Sequence, residues 1–142
     1  MTTVMAGAVG ALTMAEIRAR AALALAPALP DDPYVFDNIV DAVEPPALIL
    51  TWGDPWLLPK TIGGCLWDAQ FVVLCIAGRI EPDPGIAKLE ELVTYTINRL
   101  AADDYPWPVV SSQAPRRFDI AGLTYLGARV TFRVPVTTQE GA

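Results

Sequence analysis

The sequence predicts an α+β fold, a mainly antiparallel sheet of about four strands with two helices packed on one face. Three observations carry this expectation. Two long segments, Trp67 to Ala77 and Tyr125 to Val136, place apolar residues at alternate positions, the period of a strand with one buried face. Between them Ile86, Leu89, Val93, Ile97 and Leu100 recur at spacings of three and four, the period of a helix with one buried stripe. Several strands also stand next to one another in chain order, where a parallel α/β sheet would alternate them with helices.

The elements follow from local chemistry. Residues 1–12 are small and aperiodic and are expected to form a flexible segment. Thr13 and Glu16 then have the spacing of a capping box. The alanine-rich helix they open should run to about Ala26, stopped by Pro27 and Pro30, with Ile17, Ala21, Ala24 and Leu25 as its apolar stripe. Tyr34 to Phe36 reads as a short strand, Asp37 to Glu44 as a loop, and Ala47 to Trp52 as a second short strand after Pro45 and Pro46. Gly53 to Gly64 is expected to be a long loop carrying Trp56, Leu57 and Leu58 between breakers.

The strand from Trp67 is apolar at every odd position. Its even positions begin polar, at Asp68 and Gln70, and become apolar at Val72, Leu74 and Ile76. That pattern describes a central strand whose second face is partly covered by a helix or a neighbouring subunit. Asp83 is the expected N-cap of the second helix, with Pro84 as its first residue. A loop from Tyr105 to Pro108 follows. In the last strand Leu126, Ala128, Val130, Phe132, Val134 and Val136 face inward, while Tyr125, Arg129, Thr131 and Arg133 face out. Pro135 suits an edge strand or a strand end. Residues 13–137 thus read as a single α+β domain and 138–142 as a flexible tail.

Composition narrows the functions. With 142 residues, 53% hydrophobic and 18% charged, the chain can bury one core and is not disordered. A net charge of −6 gives no electrostatic footprint for wrapping nucleic acid. There is no histidine, which excludes Ser-His-Asp and Cys-His catalysis and any imidazole metal ligand. Cys65 and Cys75 lie ten residues apart in one apolar stretch. An extended chain rises about 3.3 Å per residue, too far for a disulfide, so both are expected to be buried thiols in a reducing cytoplasm. The apolar stretch Val4 to Ala15 is shorter than the roughly 20 residues a membrane helix needs and lacks a basic segment before it. A soluble intracellular protein without membrane contact is expected.

No reaction emerges from the side chains, and no cofactor, metal or catalytic residue is expected. Asp31, Asp32, Asp37 and Asp41 lack calcium-loop spacing and read as turn caps. Asp103 and Asp104 read as loop polarity. Gly63 and Gly64 have no Lys-Ser or Lys-Thr behind them, so a phosphate loop fails. Arg116 and Arg117 form a small basic patch in a loop, where nucleic-acid contact is one reading and a salt bridge between subunits or plain exposure the favoured ones. Trp52, Trp56 and Trp107 lie in or beside proline-rich loops, where they either fold back as lids on the core or project as anchors. The candidate assembly interface is Trp52, Trp56, Leu57, Leu58, Arg116 and Arg117.

Taken together, Tyr34 to Asp37, Pro45 to Leu50, Phe71 to Arg79, the helix Ile86 to Leu100 and the closing Tyr125 to Val136 resemble the tail-terminator (minor tail, tail-completion) proteins of long-tailed bacteriophages. The likeness is one of element order and texture over residues 13–137. It implies a ring, usually a hexamer, that binds the last ring of tail-tube protein, halts polymerisation and offers a surface to the head–tail connector protein. DNA would only pass through the lumen, and an acidic lumen lets it slide. The virion would be the final location, reached through assembly in the host cytoplasm. A head–tail connector or head-completion (neck) protein has a similar texture, and a small ligand-binding or enzyme-accessory domain is the more distant alternative.

Overall fold

A computed structural model describes residues 12–27, 33–36, 45–59, 66–79, 85–105 and 107–137. The elements are α1 (Met14–Leu25), β1 (Tyr34–Phe36), β2 (Ala47–Pro59), β3 (Leu66–Arg79), α2 (Ile86–Ala102), β4 (Val109–Ser112), β5 (Arg116–Ile120) and β6 (Leu123–Thr137). The strands form one sheet in the order β1-β2-β3-β6-β4, with β5 also on β6. The α+β expectation holds, but the sheet has six strands, not about four, and it is mixed. β1 runs parallel to β2, while the other pairings are antiparallel.

Alternation along the strands divides the sheet into two faces. On one, Leu48, Leu50, Phe71, Val73, Cys75, Val130 and Phe132 pack with Ile17, Ala21 and Leu25 of α1 and Leu89, Leu92 and Leu100 of α2. Phe71 and Phe132 stack at its centre, 5.6 Å apart. Each of the Val, Leu, Ile and Phe side chains contributes about 1.5–3 kcal/mol by leaving water, so this layer dominates stability.

The capping box is present in both directions. Thr13 N–H donates to Glu16 Oε1 at 2.8 Å, and Glu16 N–H donates to Thr13 Oγ1 at 3.2 Å. The other end of α1 has no basic residue in its last turn. Its orphan carbonyls are met from α2 instead. Arg99 donates to Ala24 O (3.0 Å) and Ala26 O (2.7 Å), and Tyr95 Oη donates to Leu25 O (3.0 Å). These bonds, one donor cationic, tie the two helices together where the α1 dipole is negative.

Several boundaries depart from expectation. α2 begins after Gly85, whose φ of 68° opens the helix without a side-chain cap; Asp83 and Pro84 lie outside the described residues. Its buried stripe is Leu89, Leu92, Thr96 and Leu100, and Ile86 is 45% exposed. The helix is therefore turned so that a threonine faces the core. Thr96 meets its hydroxyl by donating to Leu92 O at 2.9 Å.

The expected loop after Trp52 is strand as far as Pro59. β2 bulges between the Trp52–Phe71 and Leu57–Ala69 pairs and then resumes, so four residues face Gln70 alone. Pro55 removes a ladder donor at this point, which the bulge accommodates.

The segment around Arg116 and Arg117 is also strand, not loop. β4 and β5 form an interrupted arm along β6, bridged by Gln113 N–H donating to Arg129 O at 2.9 Å. The arm turns back at Ala121 and Gly122, whose φ values of 52° and 82° give the two-residue hairpin geometry that matches strand twist. β6 is accordingly not an edge strand. Pro135 lies beyond its last contact with the arm, near the strand end.

Leu12, the first described residue, pairs with Val136, and Thr137 N–H donates to Leu12 O at 2.9 Å. The rest of the expected flexible segment 1–12 and the tail 138–142 lie outside the described residues, as do Asp31, Asp32, Asp37, Asp41, Gly63, Gly64 and Cys65.

Candidate assembly face

Among the described residues, the second face of the sheet carries no helix. At one end it is closed by the chain's own hairpin, where Phe118 and Ile120 of β5 and Phe36 of β1 pack on Ala47, Ile49, Ile76 and Tyr125. The cover over Ile76 is therefore supplied by β1 and β5 and not by a helix, while Val72 and Leu74 lie beyond it. Gly127 allows this close approach. A Cβ there would lie 2.8 Å from Cys75 O and 2.9 Å from Phe118 Cδ2.

Beyond the hairpin the face opens into a groove of about 540 Å³. Ile49, Val72 and Leu74 form its apolar floor, and Thr51, Trp52, Gln70, Ser111, Gln113, Ile120, Arg129 and Thr131 line the rest. Cross-strand register sets the order, with one row running Ile49, Leu74, Arg129 and the next Thr51, Val72, Thr131.

Two arginines stand on this face. Arg133 donates to Gln70 Oε1 at 3.2 Å, and Gln70 Nε2 donates to Pro55 O at 2.8 Å, so a polar chain runs from β6 through β3 to the bulge of β2. Arg129 lies over the Phe118 ring at 5.5 Å, with Arg116 at the same distance from that ring. The Nε atoms of Arg129 and Arg133 are buried without a hydrogen-bond partner. Such a donor costs about 1–3 kcal/mol until something accepts from it. Asp54 brings a carboxylate to the rim.

Trp52 and Trp56 pack on each other across the bulge at 5.5 Å, yet stay 37% and 40% exposed. Leu57 and Leu58 follow in the resumed strand, opposite Ala69 and Asp68, and are half-buried, with Leu57 against the main core. The projecting part of the expected anchor is thus the tryptophan pair. Arg116 and Arg117 are exposed but stand elsewhere. Arg116 pairs with Gly127 and Trp52 is aligned through Phe71 with Phe132, five residues along β6, or about 17 Å.

The third tryptophan is a lid. Trp107 is 7% exposed, meets Phe132 edge-on at 5.2 Å, and donates from Nε1 to Asp103 Oδ2 at 2.7 Å. Asp103 is therefore a hydrogen-bond partner, not loop polarity. Cys75 is a free, buried thiol 3.5 Å from Thr96 Oγ1. Burial pushes its pKa up to about 11, with the Thr96 hydrogen bond working against the shift. Burial also raises the Tyr105 pKa, against the pull of Arg20. Residue spacing marks Arg129 and Arg133 as outward-facing and Gln70 as a polar position on the second face of its strand; their grouping depends on cross-strand register, which spacing within one strand does not reveal.

Among the described residues no helix is long and apolar enough to cross a membrane. No protein-family model matches the chain, and no curated protein matches it.

Proposed function

We propose that this chain is a non-catalytic assembly subunit, a tail terminator that caps the tail tube of a long-tailed bacteriophage as a homo-oligomeric ring. The observation that supports it best is the exposed Trp52–Trp56 pair beside a sheet face that the described residues leave open. Paired aromatics at a rigid strand bulge are the kind of anchor on which protein interfaces concentrate their binding energy. The order of strands and helices over residues 13–137 supports the same role through its resemblance to that family.

In this account the ring binds the last tail-tube ring, ends polymerisation and offers its other side to the connector protein. DNA passes through the lumen, and the net charge of −6 disfavours its retention there. Polymerising tail-tube protein with and without the purified chain tests the role. A terminator gives tubes that stop growing and carry a cap at one end. Tubes that lengthen equally in its presence contradict it, and capture by portal or connector protein alone would favour the neck role.

The groove favours a second reading. About 540 Å³ with an apolar floor and an arginine lies within the usual size range of small-molecule sites. A ligand-binding domain would show a thermal shift with small carboxylates and would stay monomeric.

A further inference from the structure

The ring reading leaves open which surfaces meet, and the following inference rests on it. We propose that the open sheet face receives the outer face of α2 from a second copy of this chain. Ile86 would enter the groove beside Leu74, and Glu90 would meet Arg129.

Charge and spacing both select this occupant. The groove combines an aliphatic floor with the guanidinium of Arg129, whose buried Nε has no hydrogen-bond partner. The complement is an aliphatic side chain next to a carboxylate. The exposed side of α2 presents that pair one turn apart, Ile86 at 45% exposure and Glu90 exposed, with Glu91 adjacent. Side chains one helical turn apart are separated by about 5–6 Å. Leu74 and Arg129, directly opposite on neighbouring strands, are separated by about 5 Å.

The other helix does not fit. The exposed side of α1 sets Leu23 near Arg20, a cation that Arg129 in the groove would repel.

Because the helices pack on the far side of the sheet from the groove, the contact is head-to-tail. Head-to-tail contacts close into rings when the rotation between copies permits, and otherwise extend into filaments. Each copy would bury the open face of the next, completing a layer that the described residues leave uncovered.

Engineered disulfides test this directly. In a Cys65→Ser background, Thr131→Cys protein is mixed with Glu90→Cys protein and oxidised, Cys75 being buried. Gln113→Cys, at an exposed position on the same face, serves as a second groove probe. The proposal predicts a mixed disulfide dimer that neither variant forms alone. It also predicts that Arg129→Glu weakens self-association about 30-fold or more, with recovery on adding Glu90→Arg. Native oligomers without the mixed disulfide from either groove probe would overturn this interface while leaving the ring role standing. Absence of both oligomer and disulfide, with tail-tube protein present, would remove the two together.

Discussion

The Gln70 side-chain amide donates to the Pro55 carbonyl at 2.8 Å, fastening the bulge of β2 to the middle of β3. The same residue accepts from Arg133, so one glutamine links the tryptophan-bearing bulge to the arginines of the open face. It is nearly buried, at 9% exposure. Gly53 is part of the arrangement, since a Cβ there would stand 2.7 Å from Gln70 Cβ.

Gln70→Ala is expected to destabilise the fold by about 1–2 kcal/mol, because Pro55 O and Arg133 lose a partner at a part-buried site. Gly53→Ala should cost a similar or larger amount through the forced contact. Urea unfolding measures both, and tryptophan fluorescence should shift as Trp52 and Trp56 separate. Unchanged midpoints would show that the bulge holds without its staple.

Arg99→Ala should cost about 1.5–3 kcal/mol. It removes two charge-assisted bonds to the carbonyl end of α1 and the cation lying 5.6 Å from the Tyr95 ring. Hydrogen exchange would localise the loss to the last turn of α1. Arg99→Lys should recover only part of it, because one ammonium cannot reproduce the guanidinium fork.

Gly127→Ala should displace the β5 hairpin and open the small core beneath Phe118, at a cost of about 1–3 kcal/mol. Phe118→Ala leaves the backbone approach intact but uncovers Ile76, and should cost about 1.5–3 kcal/mol, less than a fully buried phenylalanine. Chemical denaturation of the two variants gives the comparison.

Cys75 makes stability fall at high pH. Its ordinary value of 9.0 is raised to about 11 in the fold. Between these values the unfolded chain loses a proton that the native chain keeps, so stability is full below pH 9 and declines toward pH 11. The slope should be at most about 1.4 kcal/mol per pH unit, and Cys75→Ala should flatten it. A thiol reagent at pH 8 should leave Cys75 unmodified until the protein is unfolded.

Legibility followed the range of the interaction. The α1 capping box, β1, the core of β3 and the inward face of β6 depend on neighbours within a few residues, and spacing alone reveals them. The continuation of β2 past Gly53 was hidden because glycine and two prolines suggest a loop, while pairing with Ala69, Asp68 and Trp67 overrides that preference. The β4–β5 arm was hidden for a related reason. Its residues are mostly exposed, only Phe118 and Ile120 alternate with polar neighbours, and Ala121-Gly122 lacks the Asn or Asp that usually signals a tight hairpin. Of the site, the tryptophans were visible as aromatics among prolines. The Gln70–Arg133 bond joins residues 63 apart and exists only once β3 and β6 pair.

Self-association is the claim on which the rest depends, and native mass spectrometry of the purified chain measures it most directly. The account predicts a closed ring, a hexamer by resemblance, either for the chain alone or on adding tail-tube protein, and its loss on Arg129→Glu. A strict monomer at every concentration, with tail-tube protein present as well as absent, would contradict it.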